Sequence, residues 1–181
     1  MAGGRAGGGC GKGGGVIRPV SGRFWRSIYA TDADCVLNGA RSPEGRYHHD
    51  DQPALYLSPS PEYSRIAIDV YLRPGDPPRV IVPLDVSQAR LADLRDPDMQ
   101  RALGLKGHEA SVPWQPERAA GLTATSWVAS DAARDADADG IVYAARSDPD
   151  RWHIVLFRWN DTGGPTVSRA GPSLPFHPDA T

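Results

Sequence analysis

Along Arg23-Phe24-Trp25-Arg26-Ser27-Ile28-Tyr29, apolar and polar side chains alternate, the period of a half-buried strand. Ala54-Leu55-Tyr56-Leu57 predicts a short second strand. Pro59, Pro61 and Glu62 then open a helix, because proline suits the first turn and a carboxylate suits the N-terminal end. Two periods compete from Glu62 to Leu72. Tyr63, Ile66, Ala67 and Val70 recur at helical spacing, whereas Ile66, Ile68, Val70 and Leu72 alternate, and helix is the expectation. Arg79 to Val86 predicts a strand in which Pro83, lacking an N–H, points to an edge position or a bulge. Short helices are expected over 96–103, closed by Gly104, and over 114–120, closed by Gly121. A third should run from Thr125 to Asp135, with Thr125 or Ser126 as its N-cap. Strands return over 140–144, 153–159 and, weakly, 166–168. Helices interleaved with irregularly spaced strands make a mixed α+β domain.

The ends of the chain differ from its middle. Nine of the 20 glycines fall in residues 1–15, too little apolar surface to offset the entropy of ordering, so 1–17 is expected to be a disordered leader. Its Gly9-x-Gly11-x-x-Gly14 has no strand before it or helix after it, which the dinucleotide-binding fingerprint requires. One domain should span 18–169, followed by a Pro-rich tail over 170–181 that is expected to fray.

Charge and composition then remove whole classes. With 20 Lys+Arg against 22 Asp+Glu, there is no basic footprint for direct nucleic-acid binding. The run Ile154-Val155-Leu156-Phe157 stops at Arg158, far short of the roughly 20 residues a membrane span needs. Two cysteines and no apolar signal segment fit a reducing cytoplasm. Arginine far outnumbers lysine, a bias of GC-rich, bacterial coding. Asp135-x-Asp137-x-Asp139-Gly140 begins like a calcium loop, but its twelfth position is Arg146, so a solvated connection is the reading. Adjacent His48 and His49 do not have the spacing of a zinc site, and no metal is expected. Arg46, in the glycine-bracketed turn Glu44-Gly45-Arg46-Tyr47-His48, could hold a diphosphate with its planar fork of donors, or simply pair with Glu44 or Asp50.

Read in order, the landmarks resemble the RES domain family. They are Arg23-Phe24-Trp25-Arg26, Gly45-Arg46-Tyr47, Pro53-Ala54-Leu55-Tyr56-Leu57-Ser58 with Pro61-Glu62, Leu91-Ala92-Asp93-Leu94-Arg95-Asp96, Thr125-Ser126-Trp127, Asp139-Gly140-Ile141-Val142-Tyr143 and Leu156-Phe157-Arg158-Trp159-Asn160. The resemblance covers about Arg23 to Val167 and implies an ADP-ribosyltransferase-like fold. It also implies a toxin that cleaves the nicotinamide–ribose bond of NAD by phosphorolysis or hydrolysis, with NAD as substrate and no further cofactor. The implied partner is an antitoxin with an Xre-like helix-turn-helix part; a homo-oligomer is left open. Arg26 and Arg46 match the arginines that hold NAD phosphates, and Tyr56 matches the pocket tyrosine. Tyr47 and His48 stand where the family has Trp and Asn and are carried as substrate-binding residues.

The family's Glu falls on Ala67 and its Ser on Ala145, two methyl side chains that do no acid–base chemistry. Asp69 is the spare carboxylate and Ser147 the spare hydroxyl, although on a helix Asp69 lies about 200° round from position 67. Two readings therefore stand. In an active enzyme, Arg46, Tyr56 and Asp69 carry catalysis, and Arg26, Tyr47, His48 and Ser147 bind substrate. In an impaired module the arginines bind NAD or a related phosphorylated ligand without turnover. A third reading, transfer of ADP-ribose to a macromolecule, ranks last. What separates the first two is whether a carboxylate points into the pocket; if Asp69 faces solvent, the impaired module is the expectation.

Overall fold

The computed structural model describes residues 16–176; the expected leader up to position 15, with its glycine fingerprint, and the last five residues of the tail lie outside them. The chain forms one seven-stranded sheet with helices against it, a single α+β domain. The strands are β1 (Arg18–Tyr29), β2 (Leu55–Leu57), β3 (Arg79–Asp93), β4 (Gly140–Ala145), β5 (Asp148–Leu156), β6 (Thr166–Arg169) and β7 (Leu174–Pro175). The helices are α1 (Pro61–Asp69), α2 (Pro97–Ala102), α3 (Trp114–Ala119) and α4 (Thr125–Asp135), with a 3-10 helix over Ala30–Asn38. Strand order is β1-β3-β4-β5-β2, with β6 and β7 also on β3.

The spine is β3. It pairs antiparallel with β1 from Arg18↔Leu91 to Tyr29↔Arg79, with a bulge between Val20 and Gly22. Its other side takes β7, β6 and, in parallel, β4. Pro83 is therefore neither on an edge strand nor in a bulge. Its carbonyl accepts from Ala170 N at 2.9 Å, so its nitrogen faces the same side, where β6 has ended and β7 has not begun. The missing donor falls in a gap between two partners. At the far end of the order, Trp25 of β1 exchanges two backbone hydrogen bonds with Ser58, just beyond β2 (2.8 and 2.9 Å), so the sheet curls back on itself.

Both faces are buried in β4 over Gly140–Tyr143 and in β5 over His153–Leu156. Val142, Ile154 and Leu156 join one core with Phe24, Leu57 and Leu84, while Ile141, Tyr143, Val155 and Phe157 join another with Tyr47, Met99 and Ala133. That two-sided burial is why Ile154 to Phe157 reads as continuous apolar chain, with no alternation.

The competing periods from Glu62 to Leu72 resolve as helix only to Asp69. Ser60 caps α1 by accepting from Tyr63 N at 3.0 Å, with Pro61 in the first turn. In α4 neither Thr125 nor Ser126 is the cap. The helix starts at Thr125, and Glu117 of α3 accepts from its backbone N–H at 2.8 Å, capping it from a neighbouring element. The tail also departs from expectation in part, since Leu174 pairs with Ile81. The stretch expected to be a solvated connection is in part buried, and its carboxylates are structural. Arg158 donates to Asp137 and to buried Asp139 (2.8 and 2.6 Å), and Arg90 donates to Asp137 at 2.9 Å. No described helix is long and apolar enough to cross a membrane.

Candidate active site

A cavity of about 770 Å³ opens where β1, β2, the β4–β5 hairpin and α1 meet the turn from Ser42 to His48. That turn is built from hydrogen bonds to its own backbone. Gly45 N donates to His48 O at 2.8 Å, and Ser42 Oγ donates to Glu44 O at 2.7 Å. From α4, Ser126 Oγ donates to Arg46 O and Trp127 Nε1 to Gly45 O at 2.8 Å. These bonds fix the direction in which the intervening side chains leave the backbone.

Tyr56 and His48 lock the turn to β2. Burial lowers the His48 pKa against the opposing pull of the Ser42 carbonyl, so the ring is neutral near pH 7. With Nε2 at 3.0 Å from Ser42 O, that nitrogen carries the proton and donates. Nδ1 must then accept, at 2.9 Å, from the Tyr56 hydroxyl, which itself accepts from Tyr47 N at 3.0 Å. Burial also raises the Tyr56 pKa, so the phenol keeps its proton. Gly45 completes the lock, because a Cβ there would collide with the His48 ring.

The two arginines carried over from the resemblance behave differently. Arg26 borders the cavity, but its fork is committed to Val36 O (2.7 Å) and Gly39 O (2.5 Å), closing the end of the 3-10 helix. Burial, helped by Arg41, lowers its pKa to about 10. Arg46 also borders the cavity, with its guanidinium about 5 Å from the ring centres of Tyr47 and Tyr143. Its Nη2 donates to Ala110 O, while its Nε is buried without a hydrogen-bond partner. Neither Glu44 nor Asp50 pairs with it; Glu44 is held by Arg118 instead, at 3.0 Å.

Tyr47 is fully buried and does not line the cavity; it backs Arg46 and Tyr143 from behind. His48 and Ser147 do line it, Ser147 accepting from Arg151 at 2.9 Å. Asp69 does not. The helical turn carries it to the surface, where it is 38% exposed and 3.7 Å from Arg65, while Ala67 lines the cavity. Ala145 lines it as well.

Several wall residues went unread in the sequence. Ser58 Oγ lies 2.9 Å from His153 Nδ1 inside the cavity, and burial, with Arg151 and Arg46 nearby, pushes the His153 pKa down to about 4. Arg146 and Arg151 add positive charge from the hairpin. Among the described residues Glu44 is the one carboxylate on the wall.

Comparison with known proteins gives the same fold. The chain superimposes on a chain of the crystal structure of the Mycobacterium tuberculosis MbcT–MbcA toxin–antitoxin complex with a TM-score of 0.57 and 17% identity, over 89% of this chain and 86% of that one. No curated protein sequence matches. A match to the RES domain extends over residues 20–179, taking in every wall of the cavity, and on that extent the chain belongs to the RES domain family.

Proposed function

We propose that the chain is a RES-type toxin that binds NAD in this cavity and cleaves its nicotinamide–ribose bond, with water or inorganic phosphate as acceptor. The observation that carries this reading is the charge of the wall. Arg26, Arg46, Arg146 and Arg151 line it together with one carboxylate among the described residues, Glu44, whose Oε2 is paired with Arg118. Such a surface selects a polyanionic ligand, and Trp25, Tyr71 and Trp114 offer it flat faces. The volume lies within the ordinary range for a cofactor-sized ligand. The Arg46 guanidinium on the cavity border offers the kind of N–H donors that suit a phosphate oxygen. A neutral His153 beside Ser58 adds a polar pair suited to a ribose hydroxyl.

Ala67 and Ala145 on the wall favour a second reading, in which NAD or a related phosphorylated ligand is held without turnover. The partner in either case is an antitoxin with an Xre-like helix-turn-helix part, and the setting is the cytoplasm. The deciding experiment follows nicotinamide release from NAD, with and without phosphate, alongside calorimetric NAD binding. Release supports cleavage and its phosphate dependence names the acceptor; binding without release leaves the second reading; no binding overturns both.

A further inference from the structure

The RES resemblance places the reactive carboxylate at a position occupied here by Ala67, and the spare Asp69 lies outside the cavity. Cleavage of a nicotinamide–ribose bond still needs an anion beside the ribosyl carbon, where positive charge develops. We propose that Glu44, in the arginine turn that borders the same cavity as α1, supplies that anion. This rests on the reading of the cavity as an NAD-cleaving site.

Three observations on this molecule carry it. Glu44 is the one carboxylate on the cavity wall among the described residues, alongside Arg46, His48 and Tyr56. Its position is fixed: Ser42 Oγ and the Gly45–His48 hydrogen bond hold its backbone. Its carboxylate is oriented from one side only. Arg118 brings both Nε (3.1 Å) and Nη2 (3.0 Å) to the same oxygen, Oε2, and is itself held against the Trp127 ring and by Leu122 O. Among the described residues Oε1 has no hydrogen-bond partner. An oriented carboxylate with one committed and one open oxygen is the arrangement an electrostatic stabiliser requires, since no reorganisation is needed when charge appears.

In the step, the bond between ribose C1′ and the nicotinamide nitrogen breaks, and its electron pair leaves with nicotinamide, cancelling the pyridinium charge. Glu44 Oε1 stabilises the ribosyl cation while a new C–O bond forms. With water as acceptor, Glu44 takes the proton that water loses and passes it to solvent. With inorganic phosphate the dianion attacks directly and no proton needs a base.

The test measures nicotinamide release and NAD binding in the full chain and in Glu44→Gln. The proposal expects release to fall at least hundredfold while NAD affinity stays within threefold. Adding Ala67→Glu to the Glu44→Gln chain should recover release, which a merely structural role for Glu44 would not produce. Release at the parent rate in Glu44→Gln overturns the proposal and leaves NAD cleavage standing. A parent chain that binds NAD and releases nothing overturns both. Should Glu44→Gln not fold, Glu44→Asp decides: keeping the charge but drawing it back by one methylene should slow release more than tenfold, and an unchanged rate overturns the proposal.

Discussion

The arginine turn and helix α1 border the same space and are made in different ways. The turn is bonded within itself and is also held from elsewhere, by Tyr56 from β2 and by Ser126 and Trp127 from α4. Helix α1 is capped by its own Ser60 and gives the cavity Ile66, Ala67 and Ile68, with Val70 just beyond its end. One border therefore carries charge at fixed positions and the other carries shape. A carboxylate missing from the helix can be replaced from the turn because both border one cavity.

Four experiments would break or sharpen that contrast. The largest effect should come from Arg46→Ala, which removes a guanidinium that borders the cavity and stacks on Tyr47 and Tyr143. NAD affinity by calorimetry should fall on the order of a hundredfold, about 2–3 kcal/mol, with no measurable nicotinamide release. An unchanged affinity would move the ligand away from the turn.

Acid should loosen the turn and the strands behind it. Buried His48 and His153 have folded-state pKa values below the usual 6.5, His153 near 4, so between those values the unfolded chain binds more protons. Their contribution is complete above about pH 6.5 and is lost as pH falls toward 4, worth about 2–3 kcal/mol for His153. Urea titrations at pH 7.5 and 4.5 should show this loss, with a smaller loss in His153→Gln. Gly45→Ala comes next, pushing a methyl into the His48 ring. It should destabilise the fold by about 1–3 kcal/mol in the same titration, while Ala67→Ser on the helix border leaves the midpoint nearly unchanged. Smallest of all, Asp69→Asn at the exposed end of α1 should alter stability by less than about 0.5 kcal/mol and nicotinamide release not at all. A clear loss of release there would return the helix to the chemistry.

What could be read from the sequence was local. Alternation marked β1 at Arg23–Tyr29, and proline with an upstream serine marked α1, because backbone period and caps are short-range signals. The 3-10 helix over Ala30–Asn38 carried no such signal; its end is tied down by Arg26 and by Trp159, which donates to Leu37 O from the far end of the chain. The second half of β3 was hidden because Gln88, at a φ of 61°, interrupts the alternation, and its N–H is taken by the Ser21 hydroxyl. In the site, Arg46 and Tyr56 were legible through the order of landmarks. Glu44 was not, since nothing local distinguishes a carboxylate bound to Arg118 across 74 positions from one on a solvated turn.

The single residue pair that joins Trp25 to Ser58 has a consequence for how copies of this chain meet. A twelve-residue strand with an unpaired outer side is a template for another copy's backbone. Here the inner half of β1 is bridged by Ser58 and overlaid by α1, while its outer half has Pro19, a bulge and the side chains of Arg18 and Arg23. Proline and bend each spoil the flat ladder that edge-to-edge growth needs. The fold thus guards against aggregation along the same strand that delivers Trp25 and Arg26 to the cavity.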